Sequence, residues 1–163
     1  FRLLTGIEND DGYALFRAYA GAFPREAEVN AALGQWEKVK GCFQRLQDWF
    51  LDWELYHLIG YLIETGTPQG DLWNESLSIR KAEFRYGLHE RIRKSLPDGL
   101  LEALQYGHSS VRRVLLLHNV LTTLESRERH FRFPFNRYKS QKWDVEHIHS
   151  VVERPPESGQ HQR

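Results

Sequence analysis

Apolar residues recur along this chain at helical rather than strand spacing. The clearest run is Leu33, Trp36, Val39, Phe43, Leu46 and Phe50, at steps of three and four, which lays them on one helix face. Glu37, Lys38 and Gln44 fall on the other side. Before it, "GYALFRAYAGAF" reads as a helix entered through the turn-prone "ENDDG" and closed near Pro24. After it, Asp52 is placed to cap "WELYHLIGYLIETG" by accepting a hydrogen bond from a free backbone N–H. Gly66 and Thr67-Pro68 end that helix, because glycine tolerates the left-handed terminus and proline cannot continue.

The stretch around "TPQGDLWNES" reads as a loop. A basic helix from about Ile79 to Leu96 turns Phe84, Leu88, Ile92 and Leu96 to one side. Pro97-Asp98-Gly99 introduces a short helical "LLEALQY", and Ser109 can cap "SVRRVLLLHNVLTTL". The centre of that last segment is apolar nearly all round, the pattern of a bundle's buried centre. The expectation is an all-α, irregular bundle of about five to seven helices. Its expected core contains Trp36, Phe43, Leu46, Phe50, Tyr56, Ile59, Leu88, Leu115 and Leu121.

The pattern changes at Ser126. "RERHFRFPFNRYKSQKW" alternates basic and aromatic residues around Pro134 and reads as an irregular connector. "KWDVEHIH" then has the Trp, Val and Ile content of one short strand, and the polar "ERPPESGQHQR" reads as disordered. The organisation is a helical domain over 1–125, a connector over 126–142, the start of a second domain over 143–150, and a tail over 151–163.

With 163 residues, 40% of them apolar and 13% aromatic, the chain can bury a real core and does not have a disordered composition. No apolar run is long enough to span a bilayer, and no secretory signal stands at the start. Cys42 is the single cysteine, which excludes an internal disulfide and makes a cytoplasmic setting the expectation. The start at Phe1 and the lack of any Met read as those of a fragment.

The zero net charge hides an asymmetry. Residues 1–78 carry 6 Lys/Arg against 12 Asp/Glu, while residues 79–142 carry 14 against 6. Either the basic half meets nucleic acid or the two halves pack on each other. In the connector, Arg127, Arg129, Arg132, Arg137, Lys139 and Lys142 could sit on phosphates with rings available for stacking. Alternatively, the rings anchor the connector to the helices and the charges are solvated.

One further pattern carries chemistry. Glu146-His147, at the end of the expected strand, pairs a hard oxygen ligand with an imidazole whose ordinary pKa suits a general base. With eight His residues in the chain, a surface Glu-His pair is the competing reading. Neighbouring strand side chains point to opposite faces, so the pair converges only where the strand ends or bends. His118 and His57 read as packed core histidines, and Cys42 as a small buried hydrophobe. There is no H-E-x-x-H and no phosphate-binding glycine loop.

Taken in order, "WEKVKGCFQRLQDWFLDWELYHLIGYLIETG", "VLLLHNVLTTL" and "RFPFNRYKSQKWDVEHIHS" resemble the central and late part of GmrSD-type restriction endonucleases, over roughly residues 33–150. The resemblance implies a nucleotide-binding domain upstream, a helical middle and a C-terminal His-Me finger (HNH-type) nuclease of ββα-metal form. It gives Glu146 the metal-binding position (Mg²⁺ or Mn²⁺), His147 the general base, and His149 a supporting place. It also implies cleavage of modified foreign DNA in anti-phage defence. Ser150 replaces the family's usual Pro, and neither the D-G-Q-Q-R motif nor the second half of the finger is present. The chain itself is therefore expected to be inactive. The alternative is a non-catalytic helical module that binds DNA or a partner domain.

Overall fold

The computed structural model describes residues 1–8, 10–21, 29–105, 107–108, 110–127, 131–141 and 143, with backbone alone at 29–32. These residues form eight helices and no strand: α1 Arg2–Thr5, α2 Gly12–Gly21, α3 Val29–Leu51, α4 Trp53–Glu64, α5 Gln69–Ser78, α6 Lys81–Lys94, α7 Val111–Glu125 and α8 Phe135–Ser140. None is long and apolar enough to cross a membrane. The expected strand from Trp143 onward and the polar tail lie outside the described residues, Trp143 apart.

The architecture is built around α4. Asp52 caps it as expected, its Oδ1 accepting from the Leu55 N–H at 3.1 Å. None of the residues from Trp53 to Glu64 is exposed. Helices α3, α6, α7 and α8 all pack against α4. Leu55, Leu58, Ile59, Tyr61 and Leu62 form the middle of the core, joined by Trp49, Phe84, Leu88, Val120 and Phe133. Trp49 stacks on Phe84 at 5.9 Å and meets Trp73 edge-on at 6.0 Å, tying α3, α5 and α6 together.

Several expectations are corrected. The buried centre is α4, not α7: Leu116, Leu117 and Val120 of α7 are buried, whereas Leu115 and His118 are exposed. Only one side of α7 meets α4, so Leu115 is left at the surface while Val114, Leu121 and Leu124 are half-buried. Helix α3 is present, but its buried face is shifted around the helix from the expected one: Val39 and Leu46 of the expected run turn inward and the other four do not. Val39, Cys42, Leu46 and Trp49 turn inward, while Leu33, Trp36, Phe43 and Phe50 remain 54–66% exposed. Of the expected core, Ile59 and Leu88 are buried, and Leu46, Tyr56 and Leu121 are half-buried.

The stretch 69–78, expected as a loop, is helical because Leu72, Trp73 and Ser76 are buried on one side of it. Burial outweighs the weak helix propensity of its Gly and Asn. Conversely, "LLEALQY" does not form a helix: residues 98–103 are a run of turns with Leu101 65% exposed. So short a segment holds no helix without a buried face. The connector contains α8, whose Phe135 ring lies over Gly60 of α4.

At Gly60 an added Cβ would stand 2.2 Å from Phe135 Cε2. Gly60→Ala should therefore push the ring off α4 and destabilise the protein by about 1–3 kcal/mol. The check is urea unfolding of both proteins. An unchanged midpoint would mean that Phe135 does not need this close approach.

Candidate functional site

The connector is the candidate site, because it delivers whatever chemistry follows Trp143. Its docking starts with a buried imidazole. His57 is 0% exposed in the middle of α4. Its Nδ1 lies 2.6 Å from the Trp53 carbonyl oxygen, one turn earlier, and its Nε2 accepts the Phe133 N–H at 3.2 Å. A ring that accepts at Nε2 and faces a carbonyl at Nδ1 is the neutral Nδ1–H tautomer. Burial drives its pKa below the ordinary value of 6.5, against the Trp53 hydrogen bond, and the Arg132 charge adds to the depression.

Around this bond the aromatic residues close in. The Tyr56 hydroxyl donates to the Phe133 carbonyl at 3.0 Å, so both backbone groups of Phe133 are held by α4 side chains. The buried Phe133 ring meets Phe135 at 4.8 Å and Trp143 at 5.9 Å, and Tyr138 meets Trp143 at 5.5 Å. Pro134 opens α8 without loss, since its missing N–H would have no helical partner there. Arg112 of α7 donates to the Trp143 carbonyl. The rings thus anchor the connector, the second of the two readings of its sequence.

The connector's charges divide. Arg132 is half-buried, with its guanidinium 4.8 Å from the Phe50 ring centre and 5.6 Å from those of Trp53 and Tyr56. It is held by cation–π contact. Arg127, Arg137 and Lys139 are exposed, and no carboxylate among the described residues pairs with them. Arg129, Lys142, Glu146, His147 and His149 lie outside the described residues.

Much of the basic half packs on the acidic half. Lys81 Nζ reaches Asp48 at 2.8 Å and Asp52 at 2.9 Å. Arg85 reaches Asp52 and Glu54, each at 2.8 Å. His89 lies 2.7 Å from Glu54, and Arg91 is 2.6 Å from Glu75. The α3–α4 junction is thereby tied to α6. Burial pushes the Asp52 carboxyl up. The Leu55 N–H, Lys81 and Arg85 outweigh it and hold the pKa below the ordinary value. Hydrogen bonds to Asp48 and Asp52 raise that of Lys81.

Other candidates carry less. Cys42 is half-buried and burial pushes its thiol up, so it is no ready nucleophile. His118 is exposed beside a cleft of about 460 Å³ lined by Leu96, Leu100 and Val114, contrary to its expected place in the core. A second cleft, about 500 Å³, has Arg45 and Lys81 at its rim, but Lys81 is paired and Arg45 donates to the Ser76 carbonyl. Among the described residues no three His, Cys, Asp or Glu side chains are placed to hold a metal ion. Sequence reading recognised His57 as packed but missed its partner 76 residues away. The available signal was the Phe-Pro-Phe run, a cluster too apolar for an exposed connector.

No family model, curated protein or solved structure matches the chain.

Asp52 both caps α4 and pairs with two cations, and its variants separate the two roles. Asp52→Asn keeps a cap acceptor and should cost about 0–1 kcal/mol, since Lys81 retains Asp48 and Arg85 retains Glu54. Asp52→Ala loses the cap as well and should cost about 0.5–2 kcal/mol more. A depressed carboxyl gives stability that is present above its unfolded value of 3.8 and lost as pH falls through the folded one. The advantage of wild type over Asp52→Asn should therefore fade in that acid window. Urea titrations across pH would reject this if the advantage persisted there undiminished.

Proposed function

We propose that this chain is the helical body of a metal-dependent DNA endonuclease, and that its connector presents the first half of the nuclease site. The observation that carries the proposal is the docked connector. Residues 132–141 and Trp143 are held on α4 and α7 by a buried imidazole, four aromatic rings and Arg112. Glu146 follows only three residues later. A hydrolytic site needs its base held in one direction relative to bound substrate. A stretch that merely linked two domains would not need so much burial. The order of motifs resembling GmrSD-type enzymes supports the same reading.

In this proposal Glu146 supplies an oxygen ligand, His147 takes the proton of the attacking water, and His149 supports them. A divalent Mg²⁺ or Mn²⁺ would stabilise charge on the phosphate and leaving oxygen when bound. One carboxylate does not complete a coordination sphere, and among the described residues no group of side chains is placed to complete it. The missing ligand belongs to the remainder of the finger, and nucleotide binding to a separate upstream domain. The protein would act on modified foreign DNA in the cytoplasm.

A second reading, a non-catalytic module that binds DNA or a partner domain, draws on the exposed Arg127, Arg137 and Lys139. Against it stands the ion-pair network, which already uses Lys81, Arg85 and Arg91 inside the molecule.

The assay is plasmid nicking in Mg²⁺ or Mn²⁺. The chain alone should not nick, a full-length protein should, and its His147→Ala variant should lose about 10²-fold or more. Nicking by the chain alone, or undiminished cutting by the variant, would remove the site from Glu146 and His147. DNA binding by the chain should be weak, salt-dependent and indifferent to sequence. Neutralising Arg137 and Lys139 together should reduce the slope of log affinity against log salt by about 1–2. An unchanged slope would show that these cations do not meet phosphate.

A further inference from the structure

The bond between His57 and Phe133 has a property that ordinary core contacts lack: it exists in only one protonation state. Nε2 must be an acceptor to receive the Phe133 N–H, and Nδ1 faces a carbonyl that requires its proton. A second proton can therefore go only to Nε2. It would point at an N–H donor, in a site with no solvent exposure and, among the described residues, no carboxylate bonded to the ring. We propose that His57 is a positioning residue and the pin of a proton-operated latch: the neutral imidazole holds residues 132–135 on α4, and protonation releases the connector while the helical body stays folded.

The surroundings decide which way the strain is relieved. The ring's aromatic neighbours are Trp53 at 4.7 Å and Tyr56 at 5.2 Å, both on α4. The charged neighbour is Arg132 of the connector, so an imidazolium and a guanidinium would repel across the contact to be opened. Among the described residues no ionisable group from the other elements around α4 compensates. Asp52 and Glu54 are committed to Lys81, Arg85 and His89. Arg112, Arg113 and His118 of α7, and Arg137 and Lys139 of α8, are exposed. Trp53 is tied independently to α7 through its Nε1–H and the Leu124 carbonyl, 3.2 Å apart. The α4–α7 contact therefore does not depend on the imidazole, whereas the hold on the Phe133 amide does.

The sign follows from the tautomer. A histidine with a depressed folded pKa contributes stability that is fully present above its unfolded value of 6.5 and is lost as pH falls through the folded value. The connector should be locked at neutral and alkaline pH and loosened on mild acidification. This holds whatever chemistry residues 146–147 perform, so it stands or falls separately from the nuclease reading.

The experiment is amide exchange by NMR on the whole chain between about pH 8 and about pH 5, corrected for intrinsic rates, with the ¹⁵N shifts of the His57 ring recorded alongside. The expected ring signature is an Nδ1–H tautomer at neutral pH. Protection of the Phe133 amide should fall by up to about tenfold per pH unit as the ring titrates. The amides of Leu58 and Leu62 should stay protected. His57→Gln offers an acceptor that does not titrate, so its Phe133 protection should be flat over the same range. Four results would overturn the proposal: an Nε2–H tautomer, a pH-independent Phe133 amide in wild type, equal pH dependence in His57→Gln, or simultaneous loss of the α4 amides. If His57→Gln does not fold, the wild-type ring shifts and Phe133 protection decide alone, since they must titrate together.

Discussion

The fold depends on one central helix that several others cover. Helix α4 is flanked by α3, α6, α7 and the connector, and not one of its residues is exposed. Covering a helix from several directions gains apolar contact along its length, but it makes a buried polar side chain without an internal partner costly. His57 is such a side chain, and the connector supplies its partner. The Phe133 N–H cannot find water in a buried position, nor can the ring nitrogen facing it. Each therefore requires the other, and the fold closes over a bond between residues 76 apart in sequence.

The charge asymmetry resolves in the same geometric terms. The acidic excess before residue 79 and the basic excess after it meet where the α3–α4 junction faces α6, through Asp48, Asp52 and Glu54 against Lys81, Arg85 and His89. Exposed ion pairs are weak singly. Here they share partners, and Asp52 also serves as a helix cap, so one carboxylate fixes both the start of α4 and its angle to α6. The exposed connector cations with no acidic partner among the described residues lie on the far side of this arrangement in sequence, at Arg127, Arg137 and Lys139.

Helical class and most helix positions were legible, because periodicity and caps are local. Asp52 as the cap of α4 and Gly66 as its stop follow from side-chain and backbone chemistry within a few residues. Facing was only partly legible for α3, where Val39 and Leu46 belong to two overlapping apolar sets, one completed by Cys42 and Trp49 and one by Leu33, Trp36, Phe43 and Phe50. Both repeat at helical spacing, and only the position of α4 chooses between them. The helix at 69–78 was hidden because its stability comes from burying Leu72 and Trp73 rather than from propensity. The docked connector was half legible. Its rings read as anchors, but the residue they surround, His57, looked like any packed histidine. Glu146 and His147 are legible only as a dipeptide and a resemblance, and lie outside the described residues.

The two polar devices on α4 respond to acid in different ranges, and that difference gives the connector its independence. Asp52 yields only as pH falls below 3.8, because three donors favour its charge. His57 begins to yield below 6.5, because burial and the Arg132 charge disfavour a second proton on the ring. Between these values Asp52 keeps its charge while the Phe133 bond weakens. A protein held by one kind of polar contact would lose body and connector together. With a carboxylate network on one side of α4 and a neutral imidazole on the other, the segment leading to residues 146–147 can loosen while the core remains packed.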